Sequence, residues 1–204
     1  MINTKILSGI EASHALYDSL HERIKSLKDQ GITPGLAAIL VGEDPASQIY
    51  VRNKTKRFDS LGLKSDLYRL DKTVSEDEVL DLIAKINKDD NFHGILVQLP
   101  LPKHINSDKI IHAIDPTKDV DGFHPENAGL LSIGRPRFIP CTPKGIMFML
   151  KHFKVELNGK HVVVIGRSNI VGRPVSVLSS LKELGNATVT ICHSGTSDLK
   201  YFTK

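Results

Sequence analysis

The chain reads as an α/β protein with a mainly parallel sheet, and three observations predict that class. Short apolar runs sit beside glycines, as in "GLAAILVG" (35–42), "HGILVQLPLP" (93–102) and "HVVVI" (161–165). Parallel strands are covered on both faces, so they appear as continuous apolar runs rather than as alternations. Between the runs lie stretches with helical spacing, and strand and helix alternate along the chain, as crossover connections in a parallel sheet require.

The elements follow in order. "GIEASHALYDSLHERIKSLKDQG" (9–31) predicts an amphipathic helix with Ile10, Leu16, Leu20, Ile24 and Leu27 as its apolar stripe and Gly31 as its stop. The first buried strand is 35–42. A helix then opens on Asp44 as N-cap with Pro45 at its first position and runs to Gly62. "KSDLYRL" (64–70) is the second strand, and "SEDEVLDLIAKINKD" (75–89) is a helix with a capping box, Ser75 to Glu78. The third strand spans 93–102 and ends in prolines, and "DKIIHAI" (108–114) is a short helix. The stretch 115–145 is rich in Pro, Gly and Asp and predicts a long loop, of the kind that is functional or a linker. A helix follows with Thr142 as its N-cap. The strand around "HVVVI", a helix through "SVLSSLKELG" (176–185) and the strand "ATVTICH" (187–193) begin a second α/β unit.

The composition narrows the function. Charged residues make up 25% and the net charge is +4, spread without a dense Lys/Arg block, so a nucleic-acid partner gets no support while anionic ligands suit the balance. Two cysteines are too few for a disulfide framework and fit a reducing compartment. No apolar stretch reaches membrane-spanning length, and the start of the chain is neither a signal nor a transit peptide, which predicts a cytoplasmic protein without a membrane partner.

In open α/β sheets ligands gather at the carboxyl ends of the strands, which points to four places. Tyr50 and Lys54, four apart, share a helix face where an amine beside a ring could hold a flat ligand and exchange protons with it. The same face equally suits a solvated helix, since Arg52, Lys56 and Arg57 are close by. Gln98 closes an apolar strand, and its amide serves either the next loop or a ligand. In "KDVDG", Asp119 suits a turn cap; Asp119 and Asp121 as a metal pair are rejected because no His or Cys joins them at ligand spacing. Finally, "GRSNIVGRP" (166–174) turns a strand into a helix. Gly166 permits a sharp turn, Gly172 permits close packing on the sheet, and Arg167 and Ser168 suit the extra phosphate of NADP. The loop lacks the second glycine of the G-x-G-x-x-G fingerprint, so taken alone it is a weak signal.

"YVRNKTK", "GILVQLPLP", "DPTKDVDGFHPENAGLL", "IPCTPKG" and "VVVIGRSNIVGRP" stand in this order along essentially the whole chain. That series resembles the bifunctional methylenetetrahydrofolate dehydrogenase/methenyltetrahydrofolate cyclohydrolase family, whose cofactor loop is similar to G-R-S-x-x-V-G. The resemblance implies a tetrahydrofolate-binding catalytic domain over 1–141 and, over 142–204, the first part of a Rossmann-like NADP-binding domain. It implies that such proteins run on for several more strands and helices, so that second domain is expected to be incomplete here. Lys54 would be the catalytic amine, Gln98 its hydrogen-bond partner, Tyr50 a stacking surface for the folate and Asp121 the acceptor for the pterin amino group. Val51, Arg52, Asn53, Val97 and Leu99 would complete the substrate contacts. Thr142, Gly166, Arg167, Ser168 and Ser194 would hold NADP, with no metal.

The activity implied is NADP-dependent oxidation of 5,10-methylenetetrahydrofolate and hydrolysis of the product to 10-formyltetrahydrofolate. It belongs to one-carbon metabolism and the supply of purine biosynthesis, in a homodimer joined through the NADP domains. A lysine suits the hydrolysis where its surroundings favour the neutral amine. One of the two activities alone is a second reading, and a non-catalytic folate-binding or interaction module of the same fold is a third. The chain departs from the pattern at Gly195, where the family often has Lys or Arg; the NADP phosphate would then rest on Arg167, helped by Arg173.

Overall fold

The structure, a computed structural model, describes residues 4–204. They fall into two compact units, His21–Glu126 and the segment up to Leu20 together with Asn127–Lys204.

Helix α1 (Gly9–Asp29) opens the described chain, and the sheet of the middle unit follows. It has three parallel strands, β1 (Gly35–Val41), β2 (Lys64–Leu70) and β3 (Gly94–Val97), in the order β2-β1-β3. Gly35 pairs with Lys64, and Leu36 with Gly94. Every residue of β1 is buried, as a central parallel strand requires, and its side chains divide by period two. Ala37, Ile39 and Val41 pack with Ile95 and Val97 against Val79, Ile83 and Ile86 of α3 (Glu76–Asn87). Leu36, Ala38 and Leu40 face the other way, against Leu96 and Val51 of α2 (Pro45–Ser60). Burial of each such aliphatic side chain stabilises by roughly 1.5–3 kcal/mol.

The helix starts follow their caps. The Asp44 carboxylate accepts from Ser47 N at 2.8 Å with Pro45 next in sequence, and the Ser75–Glu78 capping box is complete in both directions. Asn106 caps α4 (Ser107–Ala113) by accepting from Asp108 N and Lys109 N.

The other unit carries α5 (Pro125–Ser132), α6 (Cys141–His152), β4 (His161–Ile165), α7 (Gly172–Ser180), β5 (Thr188–Cys192) and the short α8 (Leu199–Phe202). Strands β4 and β5 pair in parallel from His161↔Thr188 to Ile165↔Cys192.

Several expectations are corrected. The apolar stripe on α1 is covered only in part: Leu20, Ile24 and Leu27 are half-buried, while Ile10 is 74% exposed and Leu16 is exposed. Strand β3 stops at Val97, because Gln98 N makes the last ladder bond, to Ile39 O, and the prolines beyond have no N–H to continue it. The long loop is interrupted by α5, where Pro125 takes the first helical position and His124 Nδ1 accepts the Glu126 N–H. Thr142 is not an N-cap. Buried Pro140 occupies that position, its carbonyl accepts from Lys144 N, and Thr142 lies exposed in the first turn of α6.

Helix α7 starts at Gly172, within the stretch expected to turn into a helix, and ends at Ser180 rather than running through Gly185. Ser168 Oγ accepts from Val171 N and Gly172 N at its start, and the chain reverses over Leu181–Asn186, where Gly185 N and Asn186 N both return to Leu181 O. Strand β4 is half-buried rather than buried, with Ile165 64% exposed.

Candidate active site

In the middle unit the site residues are carried by α2, by the carboxyl end of β3 and by the segment that follows α4. Helix α2 is anchored by Asp44, whose carboxyl is held below its ordinary value chiefly by the Ser47 backbone N–H and then by the Ser47 side chain. One buried ridge, Ser47 and Val51, seats the helix on the sheet. Val51 therefore gives its side chain to the core. Tyr50 is 62% exposed, Arg52 and Asn53 are exposed, and Lys54 is half-buried with no hydrogen bond among the described residues.

Val97 ends β3 in the core, and Gln98 and Leu99 follow it, half-buried. The Gln98 amide does not make the bond to Lys54 that the resemblance implies. Its Nε2 donates to Leu99 O at 2.8 Å, while Oε1 is buried and accepts nothing. An orphaned buried acceptor costs about 1–3 kcal/mol, so a donor brought to this oxygen would be stabilised there.

The two aspartates divide their tasks. Asp119 is buried, pairs with Ile95 in an isolated parallel bridge, and accepts the His124 N–H at 2.8 Å, while Ile95 N donates to Lys118 O at 2.7 Å. A side chain on Gly94 would collide with Val120, so glycine there lets this segment lie against β3. Asp121 follows two residues later, half-buried and toward the strand's carboxyl end. Asp119 is thus the turn cap that its sequence position suggested, and Asp121 is carried on the turn it secures.

In the other unit the loop between β4 and α7 has the form of a phosphate cradle. Gly166 adopts φ +124°, in the region that favours glycine, and its N–H donates to Cys192 O. A Cβ on Gly172 would strike the Gly166 carbonyl, so the start of α7 comes directly against the strand end. Arg167, Ser168 and Ser194 are exposed. Arg167 and Arg173 line one concavity of about 430 Å³ together with His193. A loop with close backbone approach, a helix start and two guanidinium groups fits a phosphorylated dinucleotide. Thr142 is carried on α6 and does not line this concavity.

His193 was missed in the sequence reading, although it belongs to the "CHS" that supplied Ser194. Among the described residues no group of three or more His, Cys, Asp or Glu could hold a metal ion, and no helix is long and apolar enough to cross a membrane.

Two family models match the chain. Residues 7–121 match the catalytic domain of tetrahydrofolate dehydrogenase/cyclohydrolase, and residues 140–204 match that family's NAD(P)-binding domain. The bifunctional protein FolD of Streptococcus agalactiae is 53% identical over 202 residues, which cover 98% of this chain and 70% of that protein. The crystal structure of the bifunctional FolD methylenetetrahydrofolate dehydrogenase/cyclohydrolase from Campylobacter jejuni superposes with a TM-score of 0.91 at 47% identity, covering 97% of this chain and 70% of the other. The Trypanosoma brucei dehydrogenase-cyclohydrolase, solved with NADP cofactor and an inhibitor, gives a TM-score of 0.90 at 34% identity, covering 98% and 68%.

Proposed function

The chain belongs to the tetrahydrofolate dehydrogenase/cyclohydrolase family, and from that premise we propose that it oxidises 5,10-methylenetetrahydrofolate with NADP and hydrolyses the methenyl product to 10-formyltetrahydrofolate. The observation that carries this reading is the state of two groups in one unit: among the described residues, the Lys54 amine has no hydrogen bond and Gln98 Oε1 is a buried acceptor without a donor. A proton-transfer site needs an amine that is free to act and an acceptor to steady it.

In the oxidation the lone pair of the adjacent folate nitrogen drives a hydride off the bridging carbon. The cofactor, when bound, supplies the acceptor for that hydride. The chain contributes orientation, with Tyr50 offering its ring to the folate and Asp121 accepting from the pterin amino group. Arg52, Asn53, Val97 and Leu99 belong to the same substrate surface, and Val51 holds its backbone in place. In the hydrolysis, water adds to the methenyl carbon and loses a proton to the Lys54 amine. The carbon–N5 bond then opens, its electron pair stays on N5, the Lys54 ammonium returns the proton there, and the hydroxyl on the carbon gives its remaining proton to solvent as the formyl C=O forms. Gln98 Oε1 accepts a hydrogen bond from that ammonium and keeps it in place.

We assign tetrahydrofolate to residues 1–141 and the cofactor to 142–204, with Gly166, Arg167, Ser168 and Ser194 on its phosphates and ribose and Thr142 beside them. The two family matches, at 7–121 and 140–204, support that division. The finer readings are a cytoplasmic enzyme that supplies one-carbon units to purine biosynthesis, homodimeric through its cofactor domain and without a nucleic-acid partner. The spread of charge favours the absence of a nucleic-acid partner, the reducing-compartment use of cysteine favours the cytoplasm, and the dimer and the link to purine biosynthesis rest on the family resemblance.

The test follows methenyl formation and its hydrolysis separately, with methylenetetrahydrofolate and NADP. Turnover in both steps supports the proposal. Folate binding without turnover, lost in Tyr50→Ala, would reduce the chain to a folate-binding module. Neither binding nor turnover would sink the proposal.

A further inference from the structure

The motif "KDVDG" opens on Lys118, one residue ahead of Asp119, and the chemistry proposed above gives that lysine no part. The fold holds it at both ends. Its carbonyl accepts the Ile95 N–H of β3 at 2.7 Å. Its half-buried side chain reaches the end of α3, where the ammonium donates to Ile86 O at 3.2 Å and to Asp89 O at 2.9 Å. The last carbonyls of a helix lack partners inside it and carry the negative end of its dipole, so an ammonium suits them.

The same helix end grips the segment a second time. Asn87, the last residue of α3, donates from Nδ2 to Ala113 O at 2.8 Å and accepts at Oδ1 from Asp115 N at 2.9 Å. Asp115 Oδ1 then accepts from Thr117 N at 2.7 Å and from Thr117 Oγ1 at 2.6 Å, which closes the turn that leads to Lys118. Asn87 thus fixes where α4 ends, and Lys118 fixes where the chain meets β3. Beyond it, Asp119 bridges to Ile95, Val120 lies against Gly94, and Asp121 comes next. Three residues leave little slack between the anchor and the acceptor. An apolar contact tolerates a small slip, whereas two directional hydrogen bonds from one ammonium are satisfied in one place.

We propose that Lys118 is a positioning residue for the folate site: its ammonium, seated on the end of α3, sets the register of the segment that presents Asp121 to the pterin amino group. This rests on the assignment of Asp121 made above. Lys118 touches neither substrate nor cofactor and acts only through Asp121.

The test is calorimetric titration of the chain with tetrahydrofolate and with its 2-desamino analogue, which lacks the amino group offered to Asp121. Lys118→Met should weaken tetrahydrofolate roughly three- to tenfold, the worth of one hydrogen bond, and leave the analogue unchanged. Lys118→Arg, which keeps a cation with donors at similar reach, should recover most of the loss. In Asp121→Ala the two ligands should bind alike, and adding Lys118→Met to that variant should cost nothing further, since both act through one contact. Should Lys118→Met fail to fold, Lys118→Gln, with one donor group on a shorter stem, carries the same expectations. Unchanged affinity for tetrahydrofolate, or an equal loss for both ligands, overturns the inference. If Asp121→Ala abolishes the preference for tetrahydrofolate while Lys118→Met keeps it, the reading of Asp121 stands and the role of Lys118 falls. If the parent chain shows no preference, or binds neither ligand, both fall.

Discussion

At the scale of single residues, the proposed mechanism rests on Lys54 and Gln98. Lys54→Met keeps the length and apolar stem of the side chain and removes the amine. It should reduce the hydrolysis by about 10²–10⁴, the usual range for a general acid–base group, while binding of NADP is untouched. Unchanged hydrolysis in that variant would remove Lys54 from the step. Asp119 acts one step back from the substrate. Asp119→Ala leaves the His124 N–H without its acceptor, a loss of about 1–3 kcal/mol, and frees the turn that carries Asp121. Its effect should be a raised KM for the folate with a smaller change in kcat, and an unchanged KM would detach Asp119 from substrate placement.

Tyr50, Lys54, Gln98 and Asp121 were singled out through the motifs that carry the family resemblance, since position alone suited a solvated helix face for the first two and a loop-serving amide for Gln98. His193 was not. A lone histidine after a strand looks the same whether it is structural or functional. Only the fold brings it into the cavity lining of Arg167 and Arg173.

At the scale of elements, the caps and close approaches decide which helices stand where. Ser75→Ala removes half of the capping box and should cost about 1 kcal/mol, read as a lower midpoint in denaturant with the same slope. Gly172→Ala is more severe. The added methyl meets the Gly166 carbonyl, so α7 must back away from the strand end and the cradle opens. NADP should then bind more weakly. Unchanged binding in Gly172→Ala would contradict this geometry.

Strands β1 and β2 and helices α2 and α3 were legible to within a residue or two, because continuous apolar runs, Pro45 and the capping box are strong local signals. Helix α5 was hidden, since Pro, Gly and Asp dominate residues 115–145 and its eight residues bury only Asn127 and Leu131. The stripe on α1 told only part of the story, since periodicity reports that a face is apolar, not that anything covers it. The end of α7 was misplaced because the chain reverses over Leu181–Asn186, where Gly185 N and Asn186 N return to Leu181 O.

The whole molecule divides its electrostatic stability unevenly between the two units. Asp44, Asp71, Glu76, Glu78 and Asp89 are all held below their ordinary carboxyl values, and all five lie within His21–Glu126. The leading causes are local hydrogen bonds: the Ser47 N–H for Asp44, the Thr73 side chain for Asp71, the Lys109 amine for Glu76, the Ser75 side chain for Glu78 and the Asn91 N–H for Asp89. Each group binds its proton less readily in the folded chain than in the unfolded one. Its contribution is therefore complete above the ordinary values of 3.8 for Asp and 4.5 for Glu, and it is lost as the pH falls through the lower folded values. Lys109 is raised by the same Glu76 contact, so its share is lost only on the alkaline side and does not offset the acid loss. Acid should accordingly open the folate-binding unit first. Amide exchange measured from neutral pH down through that window should show protection fading in α2 and α3 while β4 and β5 keep theirs. Glu76→Gln removes one of the five carboxylates and should make the stability of the middle unit less dependent on pH. If β4 and β5 lose protection first, or both units fade together, the stability of the middle unit does not rest on its capped carboxylates.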